Sequence, residues 1–260
     1  MAYDMRIGAQ LYTVRDYMKN LDDFAETLKK IADIGYTTVQ VSGTCEFEAD
    51  WLKQQLDQNG LRCVITHTAP QKLQEQLAKV CADHKIFGCR CVGLGGYPLM
   101  DGDPAVEYAK FVDIYKPIAR ELKEQGLYFM YHNHDREFFR LNGKTIMHHM
   151  AEDFAPDEMG FTLDTFWVQA GGANPVDYIR ELKGRLPCIH LKDFAYGRGD
   201  GFKVNMAAVG EGNINFEAVI NAAADAGTEY LLVEQDDCHG EDPFDCLKRS
   251  YDNLRALGLD

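Results

Sequence analysis

Eight short, apolar, β-rich segments recur along the chain, and each contains polar or glycine residues toward its end. They are IGAQLYTV (7–14), YTTVQVSG (36–43), LRCVITHT (61–68), CRCVGLGG (89–96), LYFMYHNH (127–134), MGFTLDTF (159–166), PCIHLKDF (187–194) and YLLVEQDD (230–237). Their starts lie 25 to 43 residues apart, about the length of one strand followed by one helix. The intervening stretches have helical periodicity; the first places Leu21, Phe24 and Leu28 on one face and closes at Gly35. The pattern predicts eight consecutive βα units.

The composition of these segments favours a closed parallel sheet. LYFMY (127–131) and YLLVE (230–234) are nearly all apolar, which is typical of strands buried on both faces. An open, doubly wound sheet is the alternative, but it would usually carry a GxGxxG loop after its first strand, and IGAQLYTVRD has none. We therefore predict an α/β fold, a single-domain (β/α)8 TIM barrel over residues 1–260.

The charge and cysteine content bear on partners and location. A formal net charge of −14, with no lysine- and arginine-rich run, would repel a phosphate backbone, so no nucleic-acid partner is expected. The first ten residues lack the features of a secretory signal, and no apolar stretch approaches the roughly 20 residues that span a bilayer, so no membrane partner is expected. The eight cysteines form no CxxC pair and are expected to be reduced. These features predict a cytoplasmic location.

Side chains able to bind a metal follow the last four apolar segments. The candidates are His132 and His134 in the fifth segment, Asp164 in the sixth, His190 in the seventh and Glu234 in the eighth. Because the active site of such a barrel forms at the carboxyl ends of its strands, these side chains should converge. Mixed imidazole and carboxylate ligation suits Mn²⁺, Fe²⁺, Co²⁺ or Zn²⁺ better than Ca²⁺. The sequence predicts one divalent metal ion.

Five segments carry a resemblance to a known family. They are YHNHDREF (131–138), LDTFWVQAGGANP (163–175), IHLKDF (189–194), VGEGNINF (209–216) and LLVEQD (231–236). These motifs resemble the xylose isomerase-like superfamily of TIM barrels, often described as sugar phosphate isomerases and epimerases. The resemblance implies that Asp164, His190 and Glu234 are metal ligands together with one group from strand five. There the family's simplest pattern has a glutamate, whereas this chain has His134, with Glu137 as the second choice.

The resemblance also implies a mechanism. The metal, Mn²⁺ first and Zn²⁺, Co²⁺, Fe²⁺ or Mg²⁺ as alternatives, would act as a Lewis acid on adjacent substrate oxygens, while an acid/base group moves a proton on carbon through an enediolate-like intermediate. His132 and Glu137 are the candidate bases. Glu234, a candidate metal ligand, is also counted among the catalytic residues. Lys192 could neutralise a developing oxyanion or bind a substrate hydroxyl. The alternative to these functional roles is that Lys192 only forms an ion pair with a neighbouring carboxylate.

Further candidates concern substrate binding. His67 ends the third segment and Tyr12 the first, where both could hydrogen-bond the substrate, and Trp167 could pack against a sugar ring or simply lie in the core. The glycine-rich stretch 195–213, the longest irregular one expected, is a candidate lid. Within it VGEGN (209–213), with Arg198 and Lys203 nearby, is a weak candidate phosphate site, so an unphosphorylated sugar is preferred.

These expectations predict a metal-dependent isomerase or epimerase acting on a sugar or keto-sugar. A dehydratase or β-elimination lyase on a keto-inositol or 3-keto-glycoside is the main alternative, because it begins with the same proton abstraction. An abasic-site DNA endonuclease of the superfamily would need further histidines, one of them at the position of Trp167. A non-catalytic sugar-binding barrel would not need the metal ligands. Barrels of this size frequently dimerise, so a homodimer is one expected state.

Overall fold

All eight apolar segments form parallel β-strands in the computed structural model, which describes residues 3, 5–199 and 201–259. The strands are β1 (Arg6–Gln10), β2 (Thr38–Val41), β3 (Arg62–His67), β4 (Cys91–Leu94), β5 (Tyr128–His132), β6 (Met159–Asp164), β7 (Cys188–Leu191) and β8 (Tyr230–Val233). Each strand pairs with the next, and β8 pairs with β1, which closes the barrel. The (β/α)8 prediction is therefore confirmed, and the open-sheet alternative is wrong.

Helices cover the outside of this barrel. They are α1 (Leu21–Ile34), α2 (Ala49–Gln58), α3 (Pro70–Glu75), α4 (Leu77–Ile86), α5 (Pro104–Glu124), α6 (Ile146–Asp153), α7 (Thr165–Ala170), α8 (Pro175–Glu181), α9 (Phe216–Ala226) and α10 (Pro243–Ala256). In α1 the predicted apolar face is buried through Phe24 and Leu28, and the Asn20 side chain caps the first turn by accepting a hydrogen bond from the Asp23 amide. Across the described ranges, every helix is too short or too polar to span a bilayer.

Successive residues of each strand point to opposite sides of the barrel wall. In β5, Tyr128 and Met130 belong to a small cluster made only of strand residues, which fills the barrel interior. Phe129 and Tyr131 instead belong to the main core, in which the Tyr131 ring lies 5.2 Å from that of Phe111 on α5. This alternation decides which strand-end side chains face the barrel axis.

Short helices and strands outside the barrel wall follow the carboxyl ends of some of the barrel strands. Short 3₁₀ helices occur at Leu11–Tyr17 and Arg136–Phe138, and two-residue strands pair at Arg140–Leu141 and Lys144–Thr145. After β7, the strands Asp193–Gly199 and Gly201–Ala207 pair antiparallel. Much of the stretch 195–213 is thus an ordered hairpin, which corrects the expectation of an irregular loop.

Candidate active site

Four side chains converge at the carboxyl ends of β5 to β8. His132, Asp164, His190 and Glu234 each offer a potential ligand atom within 4.8 Å of the others, and all four are buried. The interior alternation explains the convergence, because His132 follows Met130, His190 follows Cys188 and Glu234 follows Leu232 on the inward face. Residues separated by more than 100 positions in the chain therefore share one site.

His190 lies at the centre of this group. Its Nδ1 atom is 2.8 Å from Glu234 Oε2 and 3.7 Å from Asp164 Oδ2. Its Nε2 atom is 2.6 Å from Gln40 Oε1 on β2, and because an amide oxygen can only accept, Nε2 carries a proton. Burial opposes a charge on the ring, but the carboxylates of Glu234 and Asp164 outweigh burial and raise the pKa of His190 to about 9. The sequence analysis did not identify Gln40 as a site residue. The signal that could have indicated it is a single polar residue within the otherwise apolar strand β2.

Lys192 brings a buried ammonium group to the same place. Its Nζ atom lies 3.1 Å from Asp164 Oδ2, 2.9 Å from Glu234 Oε2 and 2.9 Å from Asp236 Oδ2. Burial disfavours the charge, yet these three carboxylates hold the pKa of Lys192 well above its ordinary value. Burial and the charge of Glu234 raise the pKa of Asp236 to about 6. The ion-pair alternative for Lys192 is thus present in the structure, at the wall of the site.

The residues present fit a divalent cation. Within the described part of the chain, the buried Nδ1 atom of His132 has no hydrogen-bond partner, and Asp164 Oδ2 and Glu234 Oε2 have only the contacts with His190 and Lys192 given above. Burial and the neighbouring His190 lower the pKa of His132 well below its ordinary value, so its ring is neutral, as ligation requires. Ligation would displace the proton that His190 carries on Nδ1. The carboxylates of Asp164, Glu234 and Asp236 would then exceed the single ammonium by two charges, which a divalent ion would balance.

The strand-five assignments change in the structure. His132, expected as a base, joins the four-residue group in place of His134, the first-ranked ligand. The His134 ring lies beside it, at 4.8 Å between centroids, beyond the end of the strand. Glu137 is turned away: its carboxylate accepts hydrogen bonds from the Tyr131 hydroxyl (2.6 Å) and the His134 amide (2.7 Å), and Tyr131 faces the outer helices. Glu137 thus lies apart from the four-residue group and outside the lining of the adjoining cavity, away from where either expected role, as base or as ligand, would require it.

A cavity of about 230 Å³ opens beside the four-residue group. Its lining comprises Tyr12, Ser42, His67, Gly95, His132, His134, Lys192, Glu234 and Asp236. His67 and Tyr12, the residues expected to contact substrate, both line this cavity, and His67 Nδ1 lies 3.3 Å from Ser42 Oγ. Trp167 is outside this lining; its ring packs 5.2 Å from that of His134 and 5.5 Å from Lys192 Nζ. Trp167 thus supports the pocket wall rather than forming it.

The candidate phosphate site is already occupied by a side chain. The amides of Gly210 and Gly212 donate to Asp193 Oδ2 at 2.9 and 2.8 Å, and the Ile214 amide donates to Asp193 Oδ1 at 3.2 Å. Lys203 is exposed on the hairpin, and the side chain of Arg198 lies outside the described residues. The backbone amides of this weak candidate site therefore anchor the base of the hairpin instead of standing free for a phosphate.

Comparison with known proteins agrees with this architecture. The family model described as xylose isomerase-like TIM barrel matches residues 28–257. No functionally curated protein matches the sequence.

Solved structures provide further likenesses. A sugar phosphate isomerase/epimerase from Parabacteroides distasonis is 23% identical, covering 96% of this chain and 94% of that one, with a TM-score of 0.79. An L-ribulose 3-epimerase is 18% identical, over 98% and 94% of the two chains, with a TM-score of 0.75. A probable 3-DHS dehydratase from Bacillus anthracis is 15% identical, over 96% and 99%, with a TM-score of 0.73. At these identities the likeness is one of fold.

Proposed function

The chain belongs to the xylose isomerase-like TIM barrel family, and from that premise we propose that it is a metal-dependent isomerase or epimerase of a sugar or keto-sugar. The observation that carries the proposal is the convergence of His132, Asp164, His190 and Glu234 within 4.8 Å beside an open pocket. A barrel that only bound sugar would not need this set of buried ligands. The net charge of −14 supports a small-molecule substrate over a nucleic acid.

We assign the cation to these four residues, with Mn²⁺ as the first choice for a set of two imidazoles and two carboxylates. When bound, the ion supplies a Lewis acid beside the substrate carbonyl. Lys192 holds a positive charge at the pocket wall, where a substrate oxygen gains negative charge as an enediolate forms. Because the protonated Lys192 cannot accept the proton removed from the substrate carbon, the reaction requires a proton acceptor elsewhere on the pocket wall.

Two pocket residues outside the four-residue group are suited to move that proton. His134 lines the pocket and its buried Nδ1 atom has no hydrogen-bond partner within the described residues. Asp236 lines the same pocket and remains about one quarter exposed. We propose His134 as the acceptor and Asp236 as the second acid/base group, with Glu234 serving chiefly to hold the cation.

The substrate unit in this pocket is proposed to be unphosphorylated. The Gly210, Gly212 and Ile214 amides are bonded to Asp193, and the ammonium of Lys192 is shared among three carboxylates. The amides are therefore not free to hold a phosphate, and the three carboxylates around the Lys192 ammonium would repel one. A neutral polyhydroxylated ring matches the remaining hydroxyl, imidazole and carboxylate groups of the lining.

Proton exchange in D₂O tests the proposal. The Mn²⁺-loaded protein should incorporate deuterium next to the carbonyl of an accepted ketose or keto-glycoside, observed by NMR, with all oxygens retained. Loss of water or of an aglycone would instead identify the dehydratase or lyase alternative. Glu234→Gln should abolish exchange and metal retention, measured by elemental analysis. Glu158→Gln is the matched control, because that carboxylate pairs with Arg120 of α5 on the outside of the barrel, and it should retain both.

A further inference from the structure

A second, larger cavity adjoins the metal pocket. Its volume is about 1010 Å³, and it shares Ser42, His67 and Gly95 with the smaller cavity. It is bounded by the loop 43–48 after β2 and by residues of α3 and α4. We call it the outer groove. The metal pocket, at about 230 Å³, is below the ~300–1,000 Å³ typical of small-molecule sites, so the contiguous groove enlarges the space open to one ligand.

Both ammonium groups of the outer groove are paired with carboxylates, and the carboxylates of its lining outnumber the ammonium groups by three to two. Lys72 Nζ lies 2.5 Å from Glu46 Oε2, and Lys79 Nζ lies 2.9 Å from Asp83 Oδ2. Glu48 also lines the groove, so the lining has no excess of positive charge. A phosphate or carboxylate ligand would find no unpaired cation among these residues. The groove is therefore suited to an uncharged ligand.

A chain of hydrogen bonds in one groove wall determines which of its atoms donate and which accept. His84 Nδ1 lies 2.8 Å from the Val80 carbonyl oxygen, which can only accept, so this nitrogen carries the proton. Burial lowers the pKa of His84 to about 4, so Nε2 is unprotonated and accepts from the Thr66 hydroxyl at 2.9 Å. Thr66 Oγ1 in turn lies 2.9 Å from Thr68 Oγ1, whose proton it accepts. The remaining lone pairs of Thr68, which lines the groove, are left for a ligand hydroxyl.

We infer that the outer groove binds a second sugar ring, so that the substrate is a glycoside whose keto-sugar unit enters the metal pocket. A pyranose ring has both hydroxyl groups and apolar C–H faces. The groove lining can contact both, through the hydroxyls of Thr44 and Thr68 and the apolar side chains of Val41, Phe47 and Leu94. The shared residues Ser42, His67 and Gly95 place the glycosidic linkage at the junction of the two cavities. This inference rests on the proposed function and narrows its substrate class.

Substrate competition tests the inference. The probes are 3-keto-glucose, 3-keto-maltose and 3-keto-cellobiose, with deuterium exchange by the Mn²⁺-loaded protein measured by NMR. The wild type should show a kcat/KM about tenfold or more higher for at least one keto-disaccharide than for the monosaccharide. Ala69→Trp, at an exposed groove position, should remove most of that preference. Thr68→Val should reduce it about fivefold, the value of one hydrogen bond.

Ala109→Trp is the matched control, since Ala109 is exposed on α5 and does not line the groove. It should keep the wild-type preference. Equal kcat/KM values for all three sugars, unchanged by Ala69→Trp, would overturn the inference while leaving the proposed function standing. If no sugar exchanges deuterium, the proposed function fails, and calorimetry with maltose, cellobiose and glucose then tests the groove alone. Binding of a disaccharide that Ala69→Trp abolishes would support it, and absence of such binding would overturn it.

Discussion

Replacing Gln40 by leucine should weaken metal binding without altering a proposed ligand. Gln40 Oε1 lies 2.6 Å from His190 Nε2, and both residues are fully buried. The hydrogen bond keeps the Nε2 proton in place and so leaves Nδ1 directed toward Asp164 and Glu234. Leucine is close in size but accepts no hydrogen bond, so the imidazole loses its orientation and a buried N–H loses its partner.

The magnitude follows from the nature of this contact. Removing an outer hydrogen bond of a metal-ligating histidine typically lowers metal affinity about 10–100-fold, or about 1.4–2.8 kcal/mol. Leaving the buried N–H of His190 unpaired should also reduce the free energy of unfolding by about 1–3 kcal/mol. Calorimetric titration of Mn²⁺ into chelator-treated protein measures the first quantity, and urea unfolding of the same samples measures the second.

Gln40→Glu is the matched control, because glutamate keeps an acceptor oxygen at nearly the same position. We expect it to bind Mn²⁺ at least as tightly as the wild type. A folded Gln40→Leu protein with wild-type Mn²⁺ affinity would refute the reasoning. It would mean either that His190 is not a ligand or that its orientation does not depend on β2.

Other predictions concern stability. In Gly212→Ala the added Cβ would overlap the Asp193 carboxylate, to which the Gly212 amide donates, so the free energy of unfolding in urea should fall by about 1–3 kcal/mol; an unchanged value would contradict this account of the hairpin anchor. His84 is buried with its pKa lowered to about 4, whereas the unfolded value is about 6.5, so the unfolded chain binds more protons between these values. Stability should therefore be lost as pH falls from about 6.5 to 4, by up to about 3 kcal/mol from this residue. The difference in unfolding free energy between wild type and His84→Gln should shrink by that amount over the window, and parallel pH profiles would exclude the effect.

The periodic part of the fold was predictable from the sequence, because strand and helix patterns are local. The eight apolar segments located every barrel strand. The convergence of Asp164, His190 and Glu234 could also be predicted, because these residues lie in or directly after regular strands. There the two-residue alternation fixes the side-chain direction. For those positions the sequence needed no further information.

The alternation of side chains along a strand could not decide between His132 and His134 in strand five. His132 and His134 have the same parity, but the strand ends at His132, and beyond that point alternation no longer predicts where a side chain points. The 3₁₀ turn at Arg136–Phe138 then directs Glu137 toward Tyr131. The hairpin after β7 was missed because its glycines indicated a loop, although Phe194 and Tyr196 alternate with smaller residues as a strand would.

The ammonium group that Lys192 inserts among Asp164, Glu234 and Asp236 has a consequence for how the protein matures. A newly made chain can bring its three acids together before any ion arrives, since a side chain of its own already offsets part of their mutual repulsion. We therefore expect folding not to wait for the proposed ion, in contrast to small zinc domains that stay unfolded until they capture their ion.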